Sequence, residues 1–310
     1  MLDNQNLDLI VGRALEDANL ENKEMLENTP FSIWIVDGDQ YTPAVSIRKV
    51  NKLPSGVFKV CYQDDNYRVN KIQLNTDEIY TFTKSFTDKI LNEIDSFWKK
   101  ADLYKQNNLI HKRGILLVGA PGVGKTSLIT LLINQLKEKD GIVFLVNNYK
   151  DFIVLTDCLN PIIRKIEPNR PIITVIEDID KLIEENGDND SELLNFLDGK
   201  NSIDHHIVIM TSNNTNELSG ALLRPSRVDM HFEIPVPDDD IRKEYFEKKG
   251  INSTDINAFV KATNAMSFAQ LKEVFIGTQI LEKPLEQVVS RLINPLSSKD
   301  YLTPTKTLGY

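Results

Sequence analysis

Apolar and polar positions change rhythm along this 310-residue chain, and the changes mark its parts. Four short apolar runs, residues 31–36, 44–50, 57–62 and 67–74, are broken by Asp37-Gly38-Asp39, Pro54-Ser55-Gly56 and Asp64-Asp65-Asn66. Runs of this length bounded by turn formers read as strands, and their spacing predicts an antiparallel meander. In the last run the apolar phase slips between Val69 and Ile72, which predicts a bulge near Asn70. The rhythm then lengthens: Phe86, Ile90, Ile94, Phe97, Ala101 and Tyr104 fall at steps of three and four, one face of a helix. From Gly114 onward, apolar runs at 115–118, 142–146, 172–176, 207–211 and 231–234 alternate with helical spacing. Strands buried on both faces are apolar throughout, so this stretch predicts an α/β three-layer sandwich around a parallel five-stranded sheet. Beyond Pro237 only helical spacing remains, at 238–249, 255–263, 267–281 and 285–292, a small lid.

The chain accordingly divides into an amphipathic helical segment over 1–27, a small β-rich domain over 28–82 and a linker helix over 83–108. The α/β domain follows over 109–237, the helical lid over 238–293, and a tail without clear period over 294–310. A hydrophobic content of 41% suffices for about two domains. The net charge of −9 argues against a dedicated nucleic-acid binder, which would carry a basic stripe. Only Cys61 and Cys158 occur, without CxxC spacing, so both are expected to be small buried apolar residues. The opening MLDNQNLDLI lacks a basic n-region and a continuous apolar h-region, and no 18 apolar residues run together. The expected location is the cytoplasm, without a membrane. His205 and His206 stand together with no HExxH nearby, which points to a surface loop rather than a zinc protease.

Chemistry enters at Gly119-Ala120-Pro121-Gly122-Val123-Gly124-Lys125-Thr126-Ser127, a full match to GxxxxGK[ST] between a strand and a helix. Its glycines let the backbone turn so that successive N–H groups and the helix N-terminus face phosphate oxygens. Lys125 is placed to reach the β- and γ-phosphates and Thr126 to offer a hydroxyl to Mg²⁺. The expected ligand is ATP with Mg²⁺, in a P-loop NTPase fold.

A second signature, ITVIEDIDKL, ends an apolar strand in Glu177 and Asp178. It resembles the Walker B element of AAA ATPases, with the acids in inverted order. By that resemblance Glu177 holds Mg²⁺ through its water shell and Asp178 polarises the attacking water. Asp is one methylene shorter than Glu, so slower or repositioned hydrolysis is expected. SELLNFLDG, IVIMTSNN and ALLRPSRVD follow in order and are similar to the second region of homology of the AAA subgroup. The resemblance makes Asn213 the sensor 1 residue and makes Arg224 and Arg227 arginine fingers that act on a neighbouring subunit's γ-phosphate, an effect of roughly 10³–10⁵ in rate. It therefore implies a homo-oligomeric ring, with six subunits expected. The plainer alternative for either arginine is an ion pair with an acid such as Asp229.

Across about residues 109–237 the wording is most similar to the branch containing the mitochondrial ATPase that translocates the Rieske iron–sulfur protein. Neither membrane residence nor that substrate is carried over. Similar soluble AAA proteins occur in bacteria and tailed phages, and the many Asn, Lys and Ile residues suit such an AT-rich genome. Residues 148–153 stand where AAA translocases carry an aromatic pore loop, without the usual residue order, so Tyr149 and Phe152 read slightly better as core or helix-start residues. Ala265 to Gln270 stands near the sensor 2 helix start and lacks its arginine. Adenine contacts are expected from this helix and from Leu109 to His111. The implied activity is hydrolysis of MgATP to remodel or translocate an unidentified protein partner recognised by residues 1–82. Two alternatives share the nucleotide site. A nucleic-acid motor or loader is disfavoured by the charge, and a non-hydrolysing, ATP-dependent assembly switch by the retention of Lys125, Thr126, Asn213, Arg224 and Arg227.

Overall fold

The computed structural model describes residues 33–37, 40–44, 52–63, 66–73, 82, 86–185, 191–198, 204–213 and 218–293. The expected helix over 1–27, the tail and the side chains of Cys61 and Cys158 lie outside the described residues. The chain forms two units, residues 1–53 and 54–310. In the first, β1 (Ile33–Asp37) and β2 (Gln40–Ala44) pair antiparallel, with Asp37 opposite Gln40. Gly38 and Asp39 alone connect them, a spacing suited to a tight hairpin. β2 ends at Ala44, and the rest of the strand expected over 44–50 lies outside the described residues.

The second unit is built on one sheet of seven strands: β3 (Gly56–Gln63), β4 (Asn66–Ile72), β5 (Lys112–Val118), β6 (Ile142–Val146), β7 (Ile172–Ile176), β8 (His206–Ser212) and β9 (Met230–Glu233). Their order is β4-β3-β6-β7-β8-β5-β9. The five expected strands are mutually parallel, and β3 joins β6 in the same sense; only β4 runs antiparallel. The β3–β4 hairpin therefore belongs to the nucleotide domain's sheet rather than to a separate β-rich domain ending at residue 82. The physical reason is burial on both faces. Val57 packs with the helices on one side, while Phe58, on the other, meets Phe144 at 6.2 Å between ring centres. Such a strand needs cover above and below, and the flank of β6 supplies it. No bulge occurs at Asn70, which pairs with Lys59 in an unbroken register. β4 is the outer strand and Asn70 and Lys71 are exposed, so its apolar phase is not dictated by a core.

One face of the sheet is covered by α1 (Phe86–Lys99), which is followed by the short α2 (Ala101–Gln106), and by α3 (Lys125–Glu138). Ile90, Ile94 and Phe97 of α1 and Leu128, Leu132 and Leu136 of α3 pack on Ile115, Leu117, Val175 and Ile209. Each fully buried Leu or Ile contributes about 1.5–3 kcal/mol. After β6 come α4 (Tyr149–Ile153), a π-helical turn (Val154–Leu159) and α5 (Asn160–Ile166); α6 (Ile179–Glu185) and α7 (Ser191–Asp198) follow β7. Phe152 of α4 and Phe196 of α7 meet edge to face, and Phe196 also meets His206 of β8. His206 alternates with Ile207 along the strand and so belongs to the second face. The lid comprises α8 (Asp239–Lys248), α9 (Ile256–Ala262), α10 (Phe268–Phe275), which ends in a π-helical turn (Ile276–Ile280), and α11 (Leu285–Ile293). Phe246, Leu271, Val274 and Val288 form its own core. Local sequence starts these helices: Asp238 accepts the Ile241 N–H at 2.9 Å, and Ser267 with Gln270 completes a capping box. Among the described residues no helix is long and apolar enough to cross a membrane.

Candidate active site

The loop 119–126 lies between β5 and α3, with Gly119 donating its N–H to Ser212 of β8 at 3.3 Å. Gly122 has φ +78° and Gly124 φ +102°, the left-handed region that side chains rarely adopt. Close approach reinforces the choice of residue: a Cβ on Gly119 would stand 2.7 Å from the Ile234 carbonyl oxygen, and one on Gly122 2.6 Å from the Ala269 Cβ. The lid is thus seated on the loop, and Ala269 donates its N–H to the Gly122 carbonyl at 3.2 Å.

At the start of α3 the Lys125 ammonium donates to the Gly119 carbonyl at 2.6 Å and to Asn213 Oδ1 at 2.8 Å. Burial lowers its pKa, and the carboxylates of Asp178, Asp180 and Glu177 act in the opposite direction. Thr126 Oγ1 donates to Glu177 Oε1 at 2.8 Å. Asp178 turns the chain from β7 into α6 with φ +49°, a conformation Asp tolerates better than most residues. Its N–H donates to Thr211 Oγ1 at 2.9 Å and its carboxylate accepts from Lys181 at 2.5 Å. Two strand ends and one helix start therefore bring Lys125, Thr126, Glu177, Asp178 and Asn213 together. The parallel sheet causes this, since its strands all point their C-terminal ends to one edge.

A cavity of about 860 Å³ opens over the loop, lined by residues 121–128 together with Asp178 and Asn213. Its far wall comes from Phe82, Phe86, the Ile234–Asp238 connector, Tyr245 and Phe268. Phe82, Tyr245 and the connector carried no signal as wall residues in the sequence, because their positions depend on how the lid docks. Leu109 to His111 do not line the cavity. His111 is stacked on Phe97 at 3.9 Å, and its Nε2 lies 2.9 Å from the Phe97 carbonyl oxygen, while Leu109 and Ile110 face solvent. The helix-start contact expected from Ala265 to Gln270 is partly there, through Phe268 and Ala269.

Arg224 is exposed, and neither it nor Arg227 lines the cavity. Arg227 forks onto Asp198 at the end of α7 through two bonds of 2.6 Å and also donates to the Ala221 carbonyl. Asp229 serves elsewhere, accepting from the Gly114 and Ser226 N–H groups. Phe152 is fully buried, and the Tyr149 hydroxyl donates to Glu192, so both aromatics of the 148–153 segment are engaged within the domain. His206 is not on a loop: it is buried in β8, 2.9 Å from Thr174 Oγ1, and burial holds its pKa well below the ordinary value. Only His205 is partly exposed.

Residues 115–236 match the family model described as ATPase family associated with various cellular activities (AAA). The match runs from within β5 to Val236 and contains Lys125, Thr126, Glu177, Asp178 and Asn213. An AAA-ATPase of Arabidopsis thaliana is 34% identical over 165 residues, covering 47% of this chain and 32% of that protein. The probable mitochondrial chaperone bcs1 of Schizosaccharomyces pombe is 32% identical over 151 residues, 46% of this chain and 32% of that protein. The probable 26S proteasome regulatory subunit 4 of Caenorhabditis elegans is 26% identical over 261 residues, 76% of this chain and 58% of that protein. The chain spans about a third of the length of the plant and yeast relatives it matches. The AAA match and the sheet order together make the fold a P-loop NTPase sandwich.

The residues fit a magnesium-bound triphosphate. Side chains are absent from the loop where a Cβ would collide, which leaves backbone N–H groups to face the cavity. The paired oxygens of Thr126 and Glu177 are hard donors of the kind Mg²⁺ takes, one or two per site.

Proposed function

We propose that the chain is a subunit of an oligomeric ATPase that hydrolyses ATP with Mg²⁺ and uses the lid to remodel or translocate a protein partner. The observation that carries this reading is the position of Lys125. Its ammonium shares Asn213 with the end of β8, beside Asp178 and the Thr126–Glu177 pair, at the floor of a cavity that the lid closes. Likeness to one protein named a chaperone and to another named a proteasome regulatory subunit supports a protein as the partner.

In this mechanism Lys125 gives up carbonyl partners in the loop for β- and γ-phosphate oxygens and offsets their charge. Thr126 and, through water, Glu177 would hold Mg²⁺, which would supply charge neutralisation at the phosphate oxygens. Asp178 and Asn213, on the cavity wall, hold the attacking water in line with the γ-phosphorus. The Lys181 ammonium holds Asp178 through one carboxylate oxygen. Arg224 reaches the site of a neighbouring subunit in a ring, six subunits being the expected number. Arg227, braced on Asp198, stiffens the loop that presents Arg224.

The test is phosphate release per subunit over a range of protein concentrations, with Lys125→Ala as blank and Arg224→Ala mixed into wild type. Specific activity that rises with concentration, and that the arginine variant poisons, supports a shared site. Tight ATP binding with phosphate release no faster than the blank refutes hydrolysis and leaves an ATP-dependent assembly switch.

A further inference from the structure

Arg224 stands in an exposed stretch, residues 223–226, between the buried Leu222 and Val228. The turn that carries it is closed on itself, since the Arg227 and Val228 N–H groups both donate to the Arg224 carbonyl at 3.1 Å. Ser226 has φ +79°, and its N–H donates to Asp229 Oδ1 at 3.2 Å. The turn is then fastened to β5 at one residue, Gly114. The Gly114 N–H donates to Asp229 Oδ2 at 2.9 Å, and the Asp229 N–H donates to the Gly114 carbonyl at 2.8 Å. Gly114 lies outside the left-handed region, so backbone conformation does not call for glycine here. Close approach does. A Cβ on Gly114 would overlap the Arg227 carbonyl oxygen, with the carbonyl carbon 2.8 Å and the Val228 Cα 3.5 Å away. No other described glycine has an obstacle as close, and these are backbone atoms of a turn that Arg227 ties to Asp198, so no flexible side chain can yield.

We propose that Gly114 is a positioning residue for Arg224: its missing side chain lets the turn seat on β5, and it thereby serves the neighbouring subunit's ATP rather than its own. The inference rests on the shared-site reading above and deepens it. A side chain at 114 must displace either the strand or the turn. The strand is the firmer of the two. Gly114 is buried and in register with Val208 of β8, and from Ile115 onward β5 is paired on both sides, with β8 and β9. The turn has only its bonds to Gly114 and Asp198 to lose. Relief to ordinary non-bonded distances, about 3.5 Å or more, moves the turn by roughly 1 Å. A group acting on the transition state tolerates little of this, because a misplacement of about 1 Å can cost about a hundredfold in rate. The phosphate loop of the same subunit starts only at Gly119, beyond the doubly paired part of β5, and keeps its geometry.

The test is phosphate release from the full chain, as kcat and KM for ATP, in Gly114→Ala, Arg224→Ala and Lys125→Ala alone and in equal mixtures. Gly114→Ala is expected to lose about a hundredfold in kcat with KM within about threefold of wild type, the mark of a contact made in the transition state. Lys125→Ala subunits do not turn over but still present Arg224. Mixing them with Gly114→Ala is therefore expected to raise release at least about tenfold above either variant alone, as it is with Arg224→Ala. A Gly114→Ala mixture that stays inactive while the Arg224→Ala mixture recovers overturns the positioning role and places Gly114 in the service of its own subunit's site. Full activity of Gly114→Ala by itself overturns it too. Recovery in neither mixture overturns the shared site, and the inference with it. Asp229→Ala, which unfastens the turn without adding atoms, takes the place of Gly114→Ala if that variant does not fold. The same loss and the same recovery are expected of it, and their absence overturns the proposal.

Discussion

Substituting Gly122 by alanine tests the contact between lid and loop on which the site depends. Two costs are separable. At φ +78° an L-residue is disfavoured by about 1–2 kcal/mol. The new Cβ would also stand 2.6 Å from the Ala269 Cβ and 3.0 Å from Ser267 Oγ, closer than real Cβ atoms approach. Ala269 is held by its bond to the Gly122 carbonyl and Ser267 by its capping box, so neither can move without loss. Such overpacking costs about 1–3 kcal/mol, giving about 2–5 kcal/mol in all. Gly250 provides the control, because it has φ +80° and nothing within 4 Å of a built Cβ. Gly250→Ala should therefore cost only the conformational part, about 1–2 kcal/mol. Urea unfolding at equilibrium, followed by circular dichroism, measures both. Adding Ala269→Gly to Gly122→Ala makes room for the new methyl, so the double variant should be more stable than the sum of the single costs by at least about 1 kcal/mol. Equal losses for Gly122→Ala and Gly250→Ala, together with additivity in the double variant, would refute the docking of α10 on the loop.

The buried His206 is kept neutral in the fold, whereas in the unfolded chain it takes up a proton below about pH 6.5. Below that pH the unfolded state binds the extra proton, so stability should fall by up to about 1.4 kcal/mol for each unit of pH until the folded group titrates. His111, whose pKa is also lowered chiefly by burial, adds in the same direction. In His206→Leu the slope of stability against pH between 6.5 and 5 should be smaller, and an unchanged slope would count against this cause. For the arginines, Arg227→Lys loses the fork onto Asp198 and should lower stability by about 1–2 kcal/mol in urea unfolding, whereas Arg224→Lys, on an exposed side chain, should leave the midpoint unchanged. Equal midpoints in the two variants would contradict the brace.

Much of the nucleotide domain was legible because its signals are local or periodic. The sheet's central strands are apolar through their middles, the lid helices α8 and α10 carry their own caps, and Gly122 and Gly124 occupy positions where backbone conformation selects the residue. Lys125 and Thr126 could be picked out from the spacing of the loop motif, and Glu177, Asp178 and Asn213 from the resemblance of their segments to AAA elements. The parallel sheet brings them together, in bonds of 2.8 Å from Lys125 to Asn213 and from Thr126 to Glu177.

What spacing cannot reveal is which surface a buried element finds. The Val57 and Phe58 strand reads as part of a separate β domain, whereas it stands beside β6; the need to cover both of its faces decides, and that need is met by tertiary packing. His206 reads as a loop residue beside His205, yet a one-residue step into β8 turns it inward against Thr174. The same applies to the wall of the cavity. Phe82 and Phe268 are 186 positions apart in sequence, and their stack exists only because the lid closes over the start of α1. The sequence by itself determined the phosphate loop, the acids at the strand end and the alternation of layers, because these follow from backbone conformation and hydrophobic period. Tertiary structure alone decided the partner of Arg227, the place of the β3–β4 hairpin and the aromatic wall, because each depends on long-range contacts that no local pattern encodes.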